Sequence, residues 1–114
     1  MIQQRCAKWC GRGCTEQEYQ QAVSAGAKLA ARLGKGWKPV IWENLGWHYQ
    51  AVSPCRRLKV HPSHGKGYIA FLGEADFPGG TWAEHGATPA AAVRAVVCLA
   101  RRDVADITSL IGGL

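Results

Sequence analysis

Apolar residues recur at three- and four-residue steps in two stretches of the chain and at two-residue steps between them. The first stretch predicts a helix from Glu16 to Leu33, with Tyr19, Val23, Ala27, Ala30 and Leu33 along one stripe. Thr15-Glu16-Gln17-Glu18 is a capping-box sequence at its start: the Thr15 hydroxyl can accept from the amide of residue 18 while Glu18 reaches back to the amide of residue 15. Gly34 stands where a C-terminal cap belongs. The second stretch opens with Thr88-Pro89, threonine at the N-cap and proline at the first helical position, where its missing amide costs nothing. It predicts a helix to the neighbourhood of Leu110, with Val93, Val96, Val97, Ala100, Val104, Ile107 and Ile111 as its apolar stripe and Gly112-Gly113 as its end.

Between the helices the period shortens to two. Pro39-Val40-Ile41-Trp42-Glu43 predicts a short strand, and Asn44-Leu45-Gly46 a turn. Residues 47–53 alternate, with Trp47, Tyr49 and Ala51 on one face, and Pro54-Cys55 ends the run. Residues 57–61 alternate again, with Leu58 and Val60 inward. Pro62-Ser63-His64-Gly65-Lys66-Gly67 predicts a loop, and Tyr68-Ile69-Ala70-Phe71-Leu72, apolar at every position, predicts a strand covered on at least one side by helix. Residues 73–87 hold Gly73, Pro78, Gly79, Gly80 and Gly86 and predict a glycine-rich loop with one edge strand over Thr81-Trp82-Ala83. The expected fold is α+β: a helix, a three- to four-stranded antiparallel meander, and a long C-terminal helix packed on the sheet. A single domain over residues 1–114 is expected, opened by a Cys/Gly/basic segment over residues 1–14. Gly11 and Gly13 leave room there for only a short helix over residues 3–10.

Composition narrows the function classes. The chain has 114 residues, 47% of them hydrophobic and 19% charged, enough apolar material for a packed core and too short a length for a multidomain enzyme. No apolar run approaches the ~20 residues that span a bilayer, so no membrane partner is expected. Met1-Ile2-Gln3-Gln4-Arg5-Cys6 lacks the apolar core of a signal peptide, and a cytoplasmic location is expected.

Lysine and arginine outnumber aspartate and glutamate 14 to 8, giving +6, a balance that attracts nucleic acid or an acidic protein face. The charge lies in small groups: Arg5, Lys8 and Arg12; Arg56, Arg57 and Lys59; Arg94, Arg101 and Arg102. No group reaches the run of five or six like charges found in nucleic-acid-binding tails.

Cys6, Cys10 and Cys14 are spaced Cys-x3-Cys-x3-Cys, which on a helix puts all three sulfurs on one face. Zinc sites use Cys-x2-Cys to Cys-x4-Cys pairs with one or two further ligands, which His48, His61, His64 or His85 would have to complete. The spacing also departs from the Cys-x3-Cys-x2-Cys of radical SAM enzymes. Reduced or packing thiols are expected here, with a metal site or a disulfide as the alternatives, and no cofactor is assigned. Cys98, in Val96-Val97-Cys98-Leu99, reads as a small core residue, and Cys55 as a turn residue.

Catalytic signatures are sparse. The chain has no phosphate-binding Gly-x-x-x-x-Gly-Lys loop, no Gly-x-Ser-x-Gly elbow and no His-Glu-x-x-His. Glu84-His85 is an acid/base pair by residue type alone, placed in the glycine-rich loop. Gly65-Lys66-Gly67 could bring backbone amides close to a phosphate, although a tight turn explains the glycines as well. The aromatics say more. Trp37, Trp42, Trp47, Tyr49, Tyr68 and Trp82 lie in or near predicted strands, where exposed rings beside basic residues stack bases or anchor protein interfaces. Trp47 and Tyr49 are expected in the core; Trp37, Trp42 and Trp82, near loops or strand ends, are expected at the surface.

The helix–meander–helix order resembles the double-stranded RNA-binding domain. That family, however, carries a Lys-Lys-x-Ala-Lys cluster at the start of its last helix, where this chain has Thr88-Pro89-Ala90-Ala91-Ala92. Gly67-Tyr68-Ile69-Ala70, Asp76-Phe77-Pro78-Gly79 and Gly86-Ala87-Thr88-Pro89 with Ala92-Val93 resemble the strand, Asp-Leu-Pro-Gly loop and helix start of HicB antitoxins, over less than a third of the chain. Trp42-Glu43-Asn44-Leu45-Gly46-Trp47-His48-Tyr49, then Val60-His61-Pro62 and Gly67-Tyr68-Ile69-Ala70, are similar to short proteins of bacteriophages and prophages. That resemblance implies a non-catalytic protein that blocks a host target in the manner of an anti-CRISPR protein, its partner a host protein or ribonucleoprotein complex. The HicB likeness implies the alternative, an antitoxin-like or nucleic-acid-binding regulator. Arg56, Arg57, Lys59 and Lys66, with Trp42 and Trp82, are the expected contact residues, and no catalytic or metal-binding residue is assigned.

Overall fold

The computed structural model describes residues 16–63, 65–73 and 82–113. The Thr15 cap, the three N-terminal cysteines, His64 and the Asp76-Phe77-Pro78-Gly79 stretch lie outside the described residues. The chain divides into two units, Met1–Pro54 and Cys55–Leu114.

In the first unit, helix α1 (Glu16–Leu33) packs on an antiparallel hairpin of β1 (Lys38–Glu43) and β2 (Trp47–Val52). Asn44-Leu45-Gly46 closes the hairpin, with Glu43 opposite Trp47 and Leu45 at φ 55°. The expected stripe on α1 is corrected. Its buried residues are Ala22, Gly26, Leu29 and Ala30, while Ala27 is exposed. The cause is a close approach at Gly26, where a Cβ would lie 2.9 Å from Ile41 Cδ1 and 3.3 Å from Tyr49 Cβ. Large residues on the hairpin fill the layer, so the helix docks on its smallest residues. Trp47, Tyr49 and Ala51 share the face toward α1 as expected. Ala51 is fully buried, and the half-buried Trp47 meets the Tyr19 ring edge-on at 4.8 Å.

The second unit is an antiparallel meander of β3 (Leu58–Pro62), β4 (Tyr68–Leu72) and β5 (Trp82–Gly86), on which α2 (Pro89–Gly112) packs. The fold is α+β as expected, with five strands instead of three or four. Strand β5 extends through Glu84-His85-Gly86, because β4 offers it a full register from Leu72 opposite Trp82 to Tyr68 opposite Gly86. Glu84 and His85 therefore stand on a strand and not in a loop, and the pleat sends their side chains to opposite faces. Val60 and Ala70, paired across β3 and β4, are fully buried beneath α2, whose Ala92 and Val96 are equally inaccessible. At Gly86 a Cβ would run into the backbone of Ala91 and Ala92, so glycine at the end of β5 sets how near the helix lies.

Helix α2 begins as the sequence predicts. Thr88 is extended at φ −126° and ψ 161°, and its Oγ1 accepts from the Ala91 amide at 3.1 Å. Two expectations about its faces are overturned. Cys98 is exposed, because two residues turn it about 200° around the helix from buried Val96. The apolar stripe is buried only as far as Ala100; every described residue after it is exposed. Among the described residues, no helix is long and apolar enough to cross a membrane.

Candidate functional site

The register of the second unit gathers one set of residues at one end of its sheet. Leu58 pairs with Leu72, and Leu72 pairs with Trp82. Arg57 directly precedes β3, and its carbonyl accepts from the Gly73 amide at 3.0 Å, which holds the two chain segments together beyond the last ladder pair. Helix α2 enters from the opposite end, near Gly86, and crosses toward this one. At Trp82 the indole Nε1 donates to Asp103 Oδ2 at 2.6 Å, tying the start of β5 to the fourth turn of the helix.

Simple lengths set the geometry past that contact. A five-residue strand covers about 17 Å at ~3.3 Å per residue, while the 24 residues of α2 extend for about 36 Å at ~1.5 Å per residue. The helix therefore outruns the strands. Beyond the Asp103 contact its stripe lies uncovered, with Val104 52%, Ile107 54%, Leu110 74% and Ile111 63% exposed. Where the helix leaves the sheet it forms a groove of about 510 Å³ with the strand ends. Leu72, Trp82, Val97, Ala100 and Val104 make its apolar floor, and the exposed Arg57 and Arg101 stand at its edge. The groove and the uncovered stripe share Val104 and form one surface.

The expected contact residues divide over the molecule. Arg57 and Trp82 meet at the groove, and Trp82 is half-buried there instead of standing free at the surface. Arg56 is exposed in the turn before β3 at φ 64°, a left-handed conformation that leaves it outside the groove lining. Lys59 alternates with Leu58 and Val60 and so lies on the sheet face turned from α2, beside Phe71. Lys66 is exposed in the turn closed by Ser63 N donating to Gly67 O at 3.1 Å, at the far end of β3 and β4 from the groove. Gly65 and Gly67 both adopt positive φ there, which accounts for them as turn residues. Trp42 belongs to the first unit, where it is 38% exposed and stacks on His48 at 5.5 Å. Trp37 is half-buried.

The sequence reading missed the place of Arg101 in the groove lining and the overhang of α2. A signal for the overhang was present: a helical stripe of some 20 residues is longer than any strand of five or six residues can cover. What lay out of reach was which end of the stripe would be left bare.

Two other places carry polar chemistry. In the first unit a cavity of about 270 Å³ lies between α1 and β2, lined in part by Glu18, Gln21, Trp47 and Tyr49, and the buried Trp47 Nε1 has no hydrogen-bond partner. On the face of the second unit turned from α2, His61 stacks on Phe71 at 5.1 Å, with Ile69 between His61 and His85 in the next cross-strand row. Among the described residues no three His, Cys, Asp or Glu side chains are grouped to hold a metal ion. No protein-family model matches the chain, and no curated protein or solved structure matches it significantly.

Proposed function

We propose that this protein acts by binding a macromolecular partner, without catalysis, through the groove and uncovered stripe of its second unit. The observation that supports this most is the continuity of an apolar groove edged by Arg57 and Arg101 with four exposed aliphatic side chains on α2. Such residues anchor interfaces: apolar side chains form the dry centre and arginine supplies the polar edge. In the setting implied by the likeness to phage proteins, the partner is a host protein or ribonucleoprotein, a defence complex being one example. Occupation of the partner's surface is then the whole mode of action.

The test uses the full chain as bait in a bacterial lysate, with and without nuclease, beside the Ile107→Asp/Ile111→Asp variant. The expected result is a nuclease-resistant partner retained by the unaltered chain and lost by the variant. Retention of the same partners by both baits overturns the assignment of this surface.

One arrangement favours a second reading, a nucleic-acid-binding or antitoxin-like regulator. Lys59, His61, Phe71 and His85 share the sheet face turned from α2, where the Phe71 ring beside the Lys59 ammonium can stack a base. Anisotropy titrations with single-stranded RNA and DNA against salt address it. This reading requires affinity that falls steeply with ionic strength and with Lys59→Ala/Phe71→Ala.

A further inference from the structure

We infer that the groove and the uncovered half of α2 receive an acidic amphipathic helix from the partner. This rests on the reading of that surface as a binding face and assigns the chemistry of what binds there.

The spacing of the stripe points to a helix. Val97, Val104 and Ile111 are seven residues apart, with Ala100 and Ile107 between them in the same repeat. A 3.5-residue repeat keeps one seam of a helix facing a second helix laid along it. The exposed part of this seam, Val104 to Ile111, is about 10 Å long, two turns, and it continues into the groove, which Val97 and Ala100 also line. Leu72 and Trp82 give such a helix a lateral seat at one end of the seam.

Charge selects the kind of helix. The exposed Arg57 and Arg101 line the groove beside its apolar residues, while Asp103, whose carboxylate accepts from the neutral Trp82 indole, is not among the lining residues. Carboxylates on an incoming helix would meet guanidinium groups able to bind them through two parallel hydrogen bonds. A second copy of this chain carries the same +6 net charge, which opposes its approach. Like charge therefore disfavours self-association, whereas a partner helix with leucine-type anchors and flanking glutamates fits both the floor and the edge.

The probe is a labelled synthetic helical peptide with leucine along one 3.5-residue seam and glutamate at the flanking positions. Its counterpart carries lysine in place of each glutamate. With the full chain, fluorescence anisotropy is expected to give an affinity at least tenfold higher for the glutamate peptide. Arg57→Glu/Arg101→Glu should reverse that preference, and Ile107→Asp/Ile111→Asp should abolish binding of both. Lys28→Glu/Lys35→Glu, equal in charge change but placed in the first unit, should leave affinity within twofold.

Equal or tighter binding of the lysine peptide overturns the inference, as does equal loss in the Lys28/Lys35 variant. Two other occupants would also overturn it. A dimer at micromolar concentration that the Ile107→Asp/Ile111→Asp change dissociates would assign the surface to a second copy. Peptide binding that appears only after residues 74–81 are replaced by a Gly-Ser linker would assign it to that segment. If the glutamate peptide fails while lysate capture still depends on Ile107 and Ile111, the binding face stands and the acidic helix does not.

Discussion

The two halves of α2 carry the same apolar stripe and meet opposite fates. Up to Ala100 the stripe packs on β3, β4 and β5, with Val97 and Ala100 also lining the groove; after it, valine, isoleucine and leucine stand in solvent. Helix α1 offers the contrast, since its buried set, Ala22 to Ala30, ends within the reach of its hairpin. Residue type does not separate these cases. The buried half of α2 is in fact the poorer in large side chains, with Ala92, Val96 and Ala100 in the core and two isoleucines and a leucine outside it. Whether a helix face is buried or exposed is therefore set by what lies opposite, and the strand length opposite α2 is what runs out.

The comparison can be broken most severely at Val96, which is fully buried. Val96→Asp places a carboxylate in a dry layer and should cost about 4 kcal/mol or prevent the second unit from folding. Urea unfolding followed by circular dichroism measures it. A loss below about 1 kcal/mol would mean that this half of the helix is not core.

A smaller effect is expected where the helix starts. Thr88→Ala removes the acceptor for the Ala91 amide and should lower stability by about 1 kcal/mol, with Thr88→Ser restoring most of it. The same unfolding curves decide the matter, and an unchanged midpoint would show that the cap contributes nothing in solution.

The smallest effect is the most informative. Ile107→Asp changes a residue of the same stripe that is 54% exposed, and stability should stay within about 0.5 kcal/mol of the unaltered chain. Destabilisation comparable to that of Val96→Asp would mean the overhang is covered within the free protein, and the contrast between the halves would disappear.

Much of this fold is legible in the sequence because its signals are local. The span of α1 follows from its stripe and Gly34; the Thr88-Pro89 start of α2, the Asn44-Leu45-Gly46 turn and the inward faces of β2 and β3 need only neighbouring residues to specify them. Where a signal depends on a distant partner, the reading drifts. The contact face of α1 moved toward Gly26 because Ile41 and Tyr49 demand a small residue opposite them. Strand β5 grew into the glycine-rich stretch because β4 was available to pair with all five of its residues. Cys98 left the core because one helical face was already filled by Ala92, Val96 and Ala100.

The candidate site divides in the same way. Arg57 and Trp82 could be marked from the sequence as a basic residue and a ring near strand ends, but their meeting depends on the register Leu58–Leu72–Trp82. Arg56 and Lys59, one residue to either side of Arg57-Leu58, went elsewhere because a turn and a pleat redirect successive side chains.

By itself the sequence determined the α+β class, the order of elements, the positive charge and the long amphipathic C-terminal helix. Each follows from spacing along the chain or from simple counting. Only the tertiary structure decided that this helix is longer than the strands beneath it, that its last turns keep their apolar face in water, and that Arg57 and Arg101 border that face. These depend on the relative lengths of elements brought together in space, and hydrophobic periodicity is the same whether the surface opposite it is present or missing.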